Sequence, residues 1–284
     1  MIQNITISGF ADEIDPSLDK QIEVIKNLGI SHIEMRGVDG KGLVEYPLDE
    51  VKKIKEKLDA NGIRLSAIGS PIGKIQITDA FEEHFELFKH TVEIAKIMET
   101  PYIRMFSFFM PEGEEPEKYK EEVFRRMGMF VEYAKQHGVV LLHENEKEIY
   151  GDVAARCKEI LGKLACDNFR AVFDFANFVQ CKQDTKEAYE MLKPYISYIH
   201  IKDAMWEGGK VVPAGYGDGN VKEILKDMVS NGYEGVLSLE PHLADFIGFS
   251  DLEQGETEKK EPMSGEESYT TAYNALRKII EELE

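Results

Sequence analysis

An apolar run followed by a run with helical spacing recurs eight times along this chain, and no other feature restricts its fold as tightly. Short apolar runs bounded by turn residues read as buried strands, and apolar residues three and four apart read as the inward face of a helix. Residues 2–10 form the first strand, and Pro16 and Ser17 open a helix carrying Leu18, Ile22, Ile25 and Leu28 that stops at Gly29. Residues 30–37 follow, with Leu48, Val51, Ile54 and Leu58 on the next helix. Then come residues 63–70, with Phe81, Phe85, Phe88, Val92 and Ala95. The fourth strand spans 102–109, and a Pro/Glu-rich loop leads from it to a helix with Val123, Met127, Phe130 and Ala134.

The fifth unit, VVLLHENEKEIYGD at 139–152, runs straight from apolar residues into His143, Glu144, Asn145 and Glu146, with a helix over 152–163. Residues 170–177 and 185–192 make the sixth pair. Residues 196–203 form the seventh strand, and a glycine-rich segment leads to a helix with Val221, Leu225, Met228 and Val229. Residues 235–242 and a terminal helix at 269–283 complete the series. Alternating β and α elements imply parallel strands, because each crossover helix returns the chain to the same edge. Eight units in 284 residues match a closed (β/α)8 TIM barrel, a single domain over 1–284. An open doubly wound sheet is the alternative; no GxGxxG follows the first strand and no GxxxxGK[ST] occurs.

In a barrel the site lies at the C-terminal strand ends, so the informative residues are polar ones that top apolar strands there. Strands five to eight offer Glu144, Asp174, His200 and Glu240. The two-residue period of a strand puts Glu144 on the side of Val140 and Leu142, and His200 on that of Ile196 and Tyr198. It puts Asp174 with Val172, and Glu240 with Val236 and Ser238. Read singly, a Glu at a strand end is a loop cap, the His a core residue and Asp174 a helix cap. Together, three buried carboxylates repel one another unless a cation sits among them. One divalent ion resolves the conflict, and the oxygen-rich set suits Mn²⁺, Mg²⁺, Co²⁺ or Zn²⁺. His143 should face away from Glu144.

HENE at 143–146, FDFAN at 173–177, HIKD at 200–203 and SLEPH at 238–242 resemble the xylose-isomerase-like TIM barrels, in particular the sugar phosphate isomerase/epimerase group. The resemblance extends over essentially the whole chain, including GFADEI and HIEMRGVDG. It implies that Glu144 and Glu240 are metal ligands and the acid/base pair, that Asp174 and His200 are further ligands, and that Lys202 and His242 meet substrate oxygens. The endonuclease branch carries DxxH after strand six. Here Asn177 takes that position and is read as a substrate contact, which argues for one metal rather than three. Arg36, Ser70 and Ser107, with Glu34, lie near the expected mouth as further candidates for hydroxyls or phosphate.

The expected reaction is proton transfer in a sugar or sugar phosphate through a metal-stabilised enediolate, giving isomerisation or epimerisation. A keto-inositol dehydratase and a sugar-binding protein without activity are the alternatives. With 34 basic against 53 acidic residues the net charge is −19, which repels nucleic acid and anionic membranes and leaves a small carbohydrate as partner. Self-association is left open. Cys157, Cys166 and Cys181 cannot all pair and form no CxxC, as suits free thiols in a reducing cytosol. The N-terminus has no signal-peptide pattern and no apolar run approaches the roughly 20 residues of a membrane span, so the expected location is cytoplasmic. The polar segment 248–265 reads either as a lid or subunit contact or as a passive loop.

Overall fold

The structure, a computed structural model, describes residues 4–243 and 262–283. Eight parallel strands make one sheet: β1 (Thr6–Gly9), β2 (His32–Met35), β3 (Arg64–Gly69), β4 (Tyr102–Met105), β5 (Val140–Glu144), β6 (Phe169–Asp174), β7 (Ile196–Ile201) and β8 (Val236–Leu239). Their order is β1–β8–β7–β6–β5–β4–β3–β2, and β1 and β2 lie against each other without a hydrogen-bonded ladder. The result is a nearly closed barrel. Pairing of β1 with β8 makes first and last strands neighbours, as the eightfold alternation requires.

Helices α1 (Leu18–Asn27), α2 (Leu48–Ala60), α3 (Glu82–Met98), α4 (Lys120–His137) and α5 (Ala154–Leu164) follow the first five strands. After β6 come two, α6 (Phe175–Gln180) and α7 (Thr185–Leu192); α8 (Val221–Ser230) and α9 (Gly265–Leu283) complete the set among the described residues. Each long helix turns one apolar stripe inward. On α4 these are Val123, Met127, Phe130, Val131 and Ala134, all buried, and Gly138 at φ 70° ends the helix in the left-handed conformation that glycine tolerates.

The barrel interior is a separate, smaller core. Leu142, Val172, Tyr198 and Ala67 pack together there, with Val140, Tyr102 and Val236 against them. Val140, Leu142, Val172, Tyr198 and Val236 belong to the inward rows that the two-residue period assigns to strands five to eight, whereas Ile196, opposite a register shift in β6, packs in the outer core; full burial of each aliphatic side chain contributes about 1.5–3 kcal/mol. Below the site, Ser8 Oγ lies 2.7 Å from Ser66 Oγ, which lies 2.8 Å from the Tyr198 hydroxyl, so the polar groups of this layer satisfy one another.

Several boundaries differ from the sequence expectation, and one matters for the site. Strand four was expected to reach Phe109 but ends at Met105. Beyond it Phe106 N donates to Ile72 O, Phe108 N donates to Gly73 O, and Phe108 adopts φ 68°. Gly73 permits this approach, since a Cβ there would stand 2.0 Å from Phe106 O. Strand six ends at Asp174 rather than Asn177, because Asp174 Oδ1 accepts a hydrogen bond from Asn177 N at 2.8 Å and starts α6. The terminal helix begins at Gly265, four residues before the expected Tyr269. The expected lid or loop at 248–265 falls, up to residue 261, outside the described residues.

Candidate metal centre

Register brings the four predicted ligands together. Asp174 on β6 pairs with His200 on β7, Ser238 on β8 pairs with His200, and Glu144 on β5 pairs with Val172 one layer below Asp174. Glu240 lies one residue past β8, two beyond Ser238 on the same row. One donor atom from each of Glu144, Asp174, His200 and Glu240 falls within 4.8 Å of the others, and all four residues are buried. His200 Nδ1 lies 2.9 Å from Glu144 Oε1, 3.6 Å from Glu240 Oε2 and 3.9 Å from Asp174 Oδ2. Glu144 Oε2 and Asp174 Oδ2 are buried without a hydrogen bond. Buried carboxylate oxygens are costly to leave in that state, so this donor set fits a divalent cation.

The charges respond to that crowding. Burial pushes the Asp174 carboxyl up to about 7, partly opposed by the nearby Lys202 ammonium. Burial also disfavours the Glu240 carboxylate, but Lys202, His242, His200 and Arg104 outweigh it and hold Glu240 well below the usual range. Burial disfavours charge on His200 too, yet Glu144 and Glu34 on its two nitrogens raise it well above an ordinary imidazole.

Two residues of this centre carry more than sequence reasoning gave them. Glu34 on β2 is fully buried and accepts from His200 Nε2 at 3.1 Å and from Ser238 Oγ at 2.6 Å. Arg104 on β4 was missed altogether. Its Nε lies 3.3 Å from Glu144 Oε2 and 4.0 Å from Glu34 Oε1. A signal existed: the two-residue period puts Arg104 on the inward side with Tyr102, breaking an apolar strand as Glu144 does.

The expected substrate contacts divide. Arg36, Ser70 and His242 border a cavity of about 280 Å³ at the barrel mouth, with Arg104, Glu144 and Glu240. Within it, Arg36 Nε donates to Asp12 Oδ2 at 2.8 Å, and Ser70 Oγ donates to Arg104 O at 2.5 Å. His242 Nε2 lies 3.2 Å from Glu13 Oε1 and 3.4 Å from Glu240 Oε1, and burial pushes its imidazole down to about 4. Lys202 instead bridges Glu240 Oε2 at 2.9 Å and Asp174 Oδ2 at 3.2 Å. Asn177 donates to Asn145 O at 2.9 Å and reaches Glu144 Oε1 at 3.4 Å, bracing the ligand from behind. Ser107 is not at the cavity: with strand four ending early, its hydroxyl turns to accept from Gly151 N at 2.8 Å. His143 faces away from Glu144 as expected, and burial pushes it down to about 3.

Comparison with known proteins agrees with this architecture. The xylose isomerase-like TIM barrel family matches residues 22–263. The chain belongs to that family. A 3-dehydroshikimate dehydratase of Bacillus anthracis is 21% identical over 175 residues, covering 62% of this chain and 62% of that protein, under two thirds of its length. An inosose isomerase of Halalkalibacterium halodurans is 23% identical over 255 residues, covering 86% of this chain and 89% of that protein. These relatives are enzymes. Among solved structures, the IOLI protein with a binding zinc atom superposes with a TM-score of 0.75 at 18% identity, covering 98% of this chain and 99% of that one. An L-ribulose 3-epimerase gives a TM-score of 0.70 at 15% identity, with 98% and 95% covered. At these identities the likeness is one of fold. Among the described residues no helix is long and apolar enough to cross a membrane.

Proposed function

We propose that this chain is a divalent-metal-dependent isomerase or epimerase of sugars or related hydroxy-ketones, with Glu144 and Glu240 as its acid/base pair. The observation that carries the reading is a division within the ligand set. Glu144 and Glu240 border the mouth cavity, whereas Asp174 and His200 are wholly buried behind them. The two carboxylates come from β5 and β8, with β6 and β7 between them, and so reach a bound substrate from different sides.

Glu144, Asp174, His200 and Glu240 would hold a divalent ion, which would supply Lewis-acid polarisation of a carbonyl and so acidify the neighbouring C–H. One carboxylate then removes that proton and the other returns it. Glu240, held in its anionic form by its cationic neighbours, is available to accept the proton. Return to the opposite face of one carbon gives epimerisation, and return to the adjacent carbon gives aldose–ketose isomerisation. Arg36 and His242 contact Glu240 on the cavity side and so restrict how substrate hydroxyls approach it. The Bacillus anthracis relative favours a second reading, dehydration, in which the same proton abstraction is followed by loss of a β-hydroxyl.

The test is a panel of ketoses and inososes incubated in D₂O with the metal-supplemented protein and followed by NMR and mass spectrometry. Isomerase or epimerase activity puts deuterium on carbon without loss of water; dehydration lowers product mass by one water. A panel with no C–H exchange refutes both.

A further inference from the structure

We propose that Arg104 is the receptor for a carboxylate on the substrate, so that this site takes an acidic polyhydroxylated carbonyl compound rather than a neutral sugar. The inference rests on the proton-transfer reading above and narrows its substrate class. Arg104 is 4% exposed and borders the mouth cavity, yet its guanidinium makes no hydrogen bond among the described residues, and its Nε is buried without an acceptor. A guanidinium carries five N–H donors and cannot shed its charge, so a buried one without acceptors is unusual.

The neighbouring cations are not in this condition. Arg36 donates to Asp12 and Lys74 donates to Glu146 at 3.2 Å, while Lys202 donates to Glu240. The two carboxylates near Arg104 turn their hydrogen bonds to other partners, and Glu144 Oε2 is the oxygen left toward it, without a hydrogen bond. Glu34 accepts from Ser238 and faces His200, and Glu144 Oε1 faces His200 Nδ1. At 3.3 Å, Glu144 Oε2 is close enough for attraction, but not aligned to accept from Nε.

Arg104 is nevertheless held in place. Its guanidinium carbon stands 4.5 Å from the Phe106 ring centroid and 5.3 Å from that of Phe10, cation–π contacts that hold the group between the two rings without using its N–H donors. Gly69 keeps room for it, since a Cβ there would lie 2.6 Å from the Phe10 ring and 3.3 Å from an Arg104 terminal nitrogen. A preplaced planar donor beside a cavity matches the two oxygens of a carboxylate, whereas a neutral hydroxyl satisfies one N–H and brings a proton of its own. In a chain of net charge −19, an anionic substrate needs such a local positive group.

The test uses the full chain and calorimetric titration with shikimate, a cyclic polyol carboxylate, against its uncharged methyl ester and myo-inositol. The expected result is binding of shikimate at least about tenfold tighter than either neutral probe, the equivalent of one good charged contact. R104Q abolishes that preference, so that shikimate binds no more tightly than the neutral probes do to the same variant, and R104K, which keeps the charge but not the fork, restores part of it. Circular dichroism and thermal melts establish that each variant is folded, and the wild-type comparison decides the matter if neither is. Equal or absent binding of all three probes by wild type overturns the proposal. So does a shikimate preference that survives in folded R104Q, which makes the residue purely structural. Carboxylate preference without C–H exchange refutes the isomerase reading and leaves the subsite standing; exchange on neutral sugars with no carboxylate preference does the reverse.

Discussion

Lys202 occupies contested ground, and replacing it by methionine separates two roles. Its ammonium lies 2.9 Å from Glu240 Oε2 and 3.2 Å from Asp174 Oδ2, oxygens that the proposed metal would also use. A cation that coordinates there must first displace the ammonium from one or both. Hydrogen bonds to charged groups contribute about 1.5–3 kcal/mol each. The ammonium keeps part of that attraction after moving aside, so the net competition is about 3 kcal/mol, or about two orders of magnitude in affinity. Methionine preserves the stem and removes the charge. In a competition titration with a fluorescent chelator, K202M is therefore expected to bind Mn²⁺ or Zn²⁺ about 100-fold more tightly than wild type. Under excess chelator it is expected to melt at lower temperature, because Asp174 and Glu240 lose their buried counter-charge. Unchanged or weaker metal affinity in folded K202M refutes the reasoning, and shows that the lysine and the metal do not share oxygens.

Metal binding should depend on pH through Asp174, whose carboxyl is pushed up to about 7 and must lose its proton to coordinate: apparent affinity in the same titration should fall as pH drops below about 7. The same elevation relieves the fold in acid, a gain fully present below about 3.8 and lost as pH rises through about 7; D174N should flatten that slope in urea melts. E144Q and E240Q, which keep shape and remove the base, should each lower C–H exchange by about 10²–10⁴-fold in the NMR assay. E34Q should weaken metal affinity by about tenfold, because His200 loses the carboxylate that orients it. His84, buried with Nε2 accepting from Gly73 N and pushed down to about 4, contributes in the opposite sense to Asp174. Its stabilisation is present above about 6.5 and lost as pH falls through about 4, about 2 kcal/mol after allowance for partial exposure, measurable as a urea midpoint that H84Q makes less acid-sensitive.

The barrel was legible because eight apolar runs alternate with eight helical stripes, and parallel pairing follows from that order alone. The four candidate ligands were legible because each tops a strand row whose lower members, such as Val140 and Leu142 below Glu144, are mostly apolar. What failed depended on where a strand stops. YIRMFSFFM reads as one continuous run, and nothing in its composition shows that Phe106 leaves the sheet to bond Ile72. Ser107 was therefore assigned to the mouth when it caps a turn at Gly151. Arg104 was lost for a different reason. Its place beside Tyr102 was readable, but an arginine near a strand end reads as a snorkelling surface residue until the rings of Phe10 and Phe106 are seen around it. Asp174 shows the converse case, since helix cap and ligand are compatible: Oδ1 caps α6 and Oδ2 faces the cage.

Glu34 explains why the cage needs a fifth polar residue. His200 presents Nδ1 to Glu144, Asp174 and Glu240, and Nε2 to Glu34. A histidine that coordinates must be neutral and can offer only one nitrogen. Glu34, fully buried and facing Nε2, would therefore leave Nδ1 for a metal and keep the ring from turning. The exchange of the His200 proton, and below about pH 7 of the Asp174 proton as well, for a divalent ion would add at most a single positive charge to a cluster of four carboxylates, which Lys202 and Arg104 also face. Lys202 donates to Glu240 and pairs with Asp174 at 3.2 Å, whereas Arg104 pairs with Glu144 at 3.3 Å and makes no hydrogen bond among the described residues. With a metal in the cage, Arg104 would border the cavity beside Arg36 and Lys74 as the cation whose guanidinium makes no hydrogen bond among the described residues, and the proposed acid group of a substrate is the partner that matches it.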